Sequence, residues 1–211
     1  MLIILLMNGI PLICQNSTYK PVTIQADIDA FKAALTRETA KMSDMKADFT
    51  QTNKFTFLNE EVITTGTLYF ASGKRLRWEY VTSNSFVFIL NGAKVWMINQ
   101  GGTTEMDVNA NKTFKELSEL MLFGIGGTSL FENRNFDFSF RTSGKQWEVA
   151  LTPKTKEMKG LYSRIELTFS ASSYQMESMR MIDNYRDETL IELSNLMINT
   201  CLSDALFEGK K

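Results

Sequence analysis

Residues 62–80, VITTGTLYFASGKRLRWEY, hold the alternation from which the fold is read. Val62 to Phe70 is rich in β-branched and aromatic residues and is bounded upstream by Asn59-Glu60-Glu61, which predicts a strand. Arg75 to Tyr80 alternates strictly, with Leu76, Trp78 and Tyr80 on one face and Arg75, Arg77 and Glu79 on the other. By parity Leu68 and Phe70 join Leu76, Trp78 and Tyr80 on an apolar face, while Arg75 and Arg77 are expected to face solvent.

The same period continues downstream. Phe86–Leu90 and Val95–Ile98 flank Asn91-Gly92, a dipeptide that supplies the positive φ of a tight hairpin. A further strand is expected over Thr103 to Val108. Later strands are read at Phe136–Phe140, Trp147–Leu151, Arg164–Phe169, Met176–Ile182 and Thr189–Leu196, with turns at Ser143-Gly144 and Asp183-Asn184. Two segments change to a helical period. Ile28, Phe31, Leu35, Met42 and Met45 follow Asp27, a candidate N-cap. Phe114, Leu117, Leu120 and Met121 follow Thr113, which with Glu116 makes a capping box, and the helix is expected to end before Gly124. The expected fold is mainly β: one domain, residues 15–211, of roughly eleven antiparallel strands in a curved, incomplete barrel covering two or three helices.

Composition excludes several kinds of chemistry. The 211 residues include no histidine, which removes Ser-His-Asp and Cys-His nucleophilic machinery and the commonest metal ligand. Cys14 and Cys201 lie too far apart for a CxxC pattern, and no phosphate-binding glycine loop is present. No cofactor and no metal is expected. Net charge is −1 with the two signs interspersed, so no basic stripe invites nucleic acid. Glu105, Asp107 and Glu166 are the acids worth checking for hydrolytic chemistry, and each alternates with apolar residues as on a solvated strand face.

At the N-terminus residues 2–13, LIILLMNGIPLI, are too short an apolar run to span a membrane and fit the core of a secretory signal. Residues 1–14 are read as that signal, with cleavage after Cys14 and a periplasmic mature chain. The competing reading acylates Cys14 and anchors the chain, but Ile13 is larger than the residue a lipoprotein signal places there.

The inward-facing candidates are rich in methionine: Met42, Met45, Met106, Met121, Met176, Met179 and Met181. Methionine is unbranched and adaptable, suited to walls that accept flexible ligands. Two helices are also few to fill the hollow of so many strands, so an apolar cavity is expected. Its candidate walls are Phe31 and Leu35 from the first helix and Leu117 and Met121 from the second. The strands add Leu68, Phe70, Leu76, Trp78 and Tyr80, then Phe88, Trp96 and Met106, then Phe138, Met179 and Met181.

Four segments, in order, resemble the outer-membrane lipoprotein carrier (LolA) family. Phe49-Thr50-Gln51 resembles its F-x-Q signature, and Gly66-Thr67-Leu68 leading to Trp78 its Leu-to-Trp strand pair. Phe88 to Trp96 resembles its hairpin, and Leu151-Thr152-Pro153-Lys154 its LTPK segment. The resemblance implies a helix-lidded half-barrel that takes acyl chains and carries lipoproteins, as a monomer, from an inner-membrane ABC exporter to an outer-membrane acceptor. It leaves open a related lipid-binding role, as an anchored acceptor or a carrier of another lipid such as a glycolipid. Residues 113–123 and the following glycines would form the moving lid. The family's lid-latching Arg-Pro is replaced by Ser72-Gly73, so Ser72 marks a latch position that lacks the long cationic side chain.

Overall fold

A computed structural model describes residues 19–58, 60–81, 86–110, 112–126 and 130–209, with backbone alone at 113, 114, 117, 123, 124 and 126. The readings of residues 1–14 as a signal and of Cys14 as cleaved or acylated lie outside these residues. The chain begins with β1 (Lys20–Pro21), α1 (Gln25–Thr39), β2 (Asp44–Lys54) and β3 (Glu61–Ala71). It continues through β4 (Arg75–Tyr80), β5 (Phe86–Asn91), β6 (Lys94–Asn99) and β7 (Gly102–Asp107) to α2 (Lys112–Gly126). Then come β8 (Phe136–Thr142), β9 (Gln146–Pro153), α3 (Lys156–Leu161), β10 (Tyr162–Ser170), β11 (Met176–Asp183) and β12 (Glu188–Ile198). These make one 12-stranded antiparallel sheet in the order β1-β8-β9-β10-β11-β12-β2-β3-β4-β5-β6-β7. The ends do not meet, so the barrel stays open, with the helices on one face as expected.

The helix boundaries correct the sequence reading. Helix α1 starts two residues before Asp27, behind Ile24, and Asp27 sits in the first turn, where its charge complements the helix dipole. It stops at Thr39, so Met42 lies in the turn and Met45 already belongs to β2. Helix α2 begins at Lys112, which puts Thr113 inside the first turn, and the Glu116 carboxylate accepts from the Thr155 hydroxyl at 3.0 Å. It runs on through Gly124 because Ile125 continues the buried stripe into the core. In the β5–β6 hairpin Gly92 takes φ +62°, the positive φ expected of the turn.

Register decides which residues share the helix-covered, concave face. Gly66 opposes Phe49, Leu68 opposes Trp78, Phe70 opposes Leu76, and Trp78 opposes Phe88. A row on the other half reads Phe140, Val149, Leu167, Met179 and Ile191 across five strands. Ile28, Phe31 and Leu35 of α1, with Leu120, Leu122 and Ile125 of α2, bury against this face.

The convex face is charged over β8–β12. Arg141 meets Glu148 at 3.3 Å, Arg164 meets Glu166 at 2.7 Å, and Arg180 reaches both Glu166 and Glu188. At Ala71 of β3 and over β5 and β6 it is apolar instead, and the chain after β12 covers it. Phe207, on a short 3-10 helix at Asp204–Phe207, is wholly buried against Ala71, Val87, Ile89 and Ile98. Arg75 and Arg77 do lie opposite Leu76 and Trp78, but they serve this strap instead of facing solvent freely. Arg75 pairs with Asp204 and stacks over the Phe207 ring, and Arg77 Nη1 donates to the Leu206 carbonyl at 3.3 Å.

Asp44 fastens the start of the strap. Its carboxylate is buried and accepts from the Thr200 amide (2.7 Å), the Thr200 hydroxyl (3.0 Å) and the Cys201 amide (3.1 Å). Burial pushes the carboxyl pKa up, but these hydrogen bonds together outweigh it and hold the group below the usual aspartate range. A lowered folded value means that this stabilisation is full above about pH 4, the unfolded value, and fades as the pH falls through the folded one. Acid unfolding of the wild type is therefore expected to be steeper than that of Asp44→Asn. Urea midpoints measured across the acid range will check this, and parallel curves would refute it.

Candidate functional site

A cavity of about 320 Å³ lies between α2 and the concave face. Six expected residues form its wall: Trp78, Tyr80, Phe88, Met121, Met179 and Met181. Six others were not read as site residues: Gln51, Ser118, Leu120, Tyr162, Thr189 and Ile191. Gln51 was within reach, since two-residue parity puts it on the same face as Phe49. Thr189 and Ile191 enter only because β12 lies beside β2, which no local pattern announces.

The remaining candidates divide by position. Leu35, Leu68, Phe70 and Leu76 are buried in the packed core, and Met106 is half-buried against it. Phe31 lies in an aromatic cluster, stacked on Trp147 with centroids 4.4 Å apart. Phe138 packs edge-on to Phe131 at 5.6 Å. The Leu117 side chain is outside the description. Trp96 is a correction: it faces the convex side. The hairpin register opposes Trp96 to Ile89 and Phe88 to Met97, so Phe88 and Trp96 point to opposite faces. Trp96 Nε1 donates to Glu105 at 2.8 Å, and the indole packs beneath the strap at Gly209.

The three acids singled out are held away from the cavity. Glu105 pairs with Lys94 at 2.7 Å, and the hydrogen bonds from Lys94 and then Trp96 hold its pKa below the usual carboxylate range. Asp107 accepts from the Asn109 amide at 2.7 Å, and Glu166 pairs with Arg164. Ser72 is exposed; its amide donates to the Ser43 carbonyl at 2.8 Å and its carbonyl accepts from Arg75, so this turn is tied to β2 and β4.

The polar groups of the cavity are uncharged. The Tyr80 hydroxyl donates to Gln51 Oε1 at 2.9 Å. Burial pushes the Tyr80 pKa up, and the Trp78 indole works against it without reaching hydrogen-bonding geometry. Burial, and next the charge of Asp183, push Tyr162 up as well. On the far side of α2 a second hollow of about 320 Å³ lies among Lys74, Gly92, Lys115 and Leu122. Ser118 borders both hollows, so α2 has unfilled space on two sides.

Fold and site together define an open, helix-lidded β half-barrel with an apolar hollow, the architecture of a binding protein. The chain belongs to the outer membrane lipoprotein carrier protein LolA family, whose family model matches residues 40–210. This is a family of carrier and binding proteins, not of enzymes. Among solved structures the chain is similar to an uncharacterized conserved protein from Thermus thermophilus, at 8% identity and a TM-score of 0.53, covering 86% of this chain and 92% of that one. It is also similar to a LolA superfamily protein from Nitrosomonas europaea (8% identity, TM-score 0.45, covering 84% and 97%). A third similar structure is the lipoprotein LppX from Mycobacterium tuberculosis (12% identity, TM-score 0.45, covering 83% and 98%). At these identities the likeness shows the fold alone. No curated protein sequence matches the chain.

Proposed function

We propose that the protein is a periplasmic carrier that takes acyl chains of lipoproteins into the cavity under α2 and moves them between membranes. In this reading an inner-membrane ABC exporter supplies the cargo and an outer-membrane acceptor receives it. The observation that carries it is the cavity itself, walled by Trp78, Phe88, Met121, Met179 and Met181 and unfilled by the protein's own side chains. Each methylene buried there contributes about 0.8 kcal/mol, so even part of one chain supplies useful affinity. A carrier must also let go. The hollows bordering α2 support this helix as the lid, because it covers the cavity with Ser118, Leu120 and Met121, whereas α1 is held to the sheet by the stacking of Phe31 on Trp147.

The test is native mass spectrometry, with lipid extraction, on protein purified from a periplasmic fraction. The wild type is expected to release acylated species. Met121→Glu places a carboxylate on the cavity wall at a half-buried lid position and is expected to fold, by circular dichroism, but to carry none. A wild type that carries no lipid and takes none up from micelles would overturn the proposal.

A further inference from the structure

Three polar side chains of the cavity wall, Gln51, Tyr80 and Thr189, are joined through Asn53 into one connected, uncharged group. The concave row of Phe140, Val149, Leu167, Met179 and Ile191 turns polar where it continues to Gln51 and Thr64. Gln51 accepts from the Tyr80 hydroxyl at 2.9 Å and donates through Nε2 to Asn53 Oδ1 at 3.2 Å. The same Asn53 oxygen accepts from the Thr189 hydroxyl at 3.0 Å. These four residues sit on three strands, β2, β4 and β12, and are each half-buried.

Beside this group lie two buried polar atoms without a partner. One is Thr64 Oγ1, on the residue directly opposite Gln51 in the β2–β3 ladder. The other is the Trp78 indole Nε1–H, on a wall residue only 3% exposed. An indole nitrogen only donates, and a buried donor without an acceptor is costly, so this site is short of an acceptor. Among the described residues, none that lines the cavity is charged. A carboxylate entering it would shed water and meet no cation. An ester or amide carbonyl brings the missing acceptor and no charge.

We infer that the cavity grips its cargo at an uncharged acyl linkage, an ester or amide carbonyl that accepts from Trp78 and the Gln51 amide, and that it discriminates against free fatty acid. This rests on the acyl-carrier reading and narrows it to a substrate class. The carbonyl sits against Trp78 and Gln51 and the chain runs on toward Leu120, Met121 and Met179. Loading breaks no covalent bond; it exchanges an unpaired donor for a paired one.

Delipidated protein filled with the uncharged dye N-phenyl-1-naphthylamine tests this by displacement with monoolein, oleamide and oleate, at a pH where oleate is ionised. Monoolein and oleamide are expected to displace the dye at concentrations about tenfold below oleate, the effect of roughly one good hydrogen bond without a buried charge. Among the three tryptophan indole signals in a proton–nitrogen correlation spectrum, that of Trp78 should move downfield on adding monoolein while that of the convex Trp96 stays in place. Trp78→Phe assigns the signal and should lose about tenfold in monoolein affinity. Where that variant fails to fold, Gln51→Leu keeps the indole and should lose the preference for neutral lipid. Oleate displacing as well as monoolein, or a stationary Trp78 signal, overturns this inference and leaves the carrier reading in place. Failure of the dye and of all three lipids to bind overturns both.

Discussion

Gly66→Ala is expected to lower the stability of the fold by about 3 kcal/mol, the upper end of what overpacking a core costs. Gly66 lies in the middle of β3 between Phe49 on β2 and Tyr80 on β4. A Cβ there would stand 2.1 Å from the Glu79 carbonyl oxygen and 2.5 Å from the tip of the Phe49 ring. A rotamer change moves a side chain, but the carbonyl is backbone, so β3 and β4 would have to part. The glycine is what lets the Phe49 ring lie over the strand. That ring in turn meets Trp78 at 4.9 Å and Tyr80 at 5.1 Å, so the same substitution disturbs the cavity wall. Gly160, in α3, is the control: a Cβ there meets nothing within 4 Å, and alanine should be neutral or stabilising by up to about 1 kcal/mol. Urea unfolding followed by circular dichroism measures both. A Gly66→Ala protein as stable as the wild type would refute the close β3–β4 approach at this point.

Phe31→Ala is expected to cost about 3–5 kcal/mol, the usual range for deleting a buried aromatic ring. Phe31 is the residue through which α1 grips the sheet. It stacks on Trp147 and meets Phe140, Phe169 and Phe131 edge-on at 6.0–6.3 Å. Alanine leaves those rings facing a void that rigid strands cannot close. For a domain of this size the loss corresponds to a fall in Tm of about 10 °C. Phe31 is not part of the cavity wall, so the variant should keep its lipid when handled cold. Calorimetry and lipid extraction on the same sample separate the two effects. Lost lipid with an unchanged Tm would move Phe31 from the core into the binding site.

Local pattern was enough for ten of the twelve strands, the β5–β6 turn and the two longer helices, because periods of two and of three to four residues are local properties of the chain. Strand β1 is too short to show a period, and the start of β2 continued the helical spacing through Met45. Local pattern also determined that Leu68, Phe70, Leu76, Trp78 and Tyr80 share a face, since the alternation through β3 and β4 is strict. What alternation cannot say is which of two apolar faces is concave. Trp96 shows this: β6 is apolar on both sides, and the β5–β6 register turns Trp96 away from the cavity and under a C-terminal strap with no strand or helix period to reveal it. Arg75 and Arg77 alternate like solvated charges, and only the arrival of Asp204, Leu206 and Phe207 makes them anchors. The cavity's polar group depended on tertiary structure in the same way. Gln51 and Tyr80 meet across β3, and Asn53 and Thr189 meet because β12 returns beside β2 from the far end of the chain. Local pattern fixes where a side chain points relative to its neighbours in sequence; strand order, set by the burial of whole faces, decides what it meets.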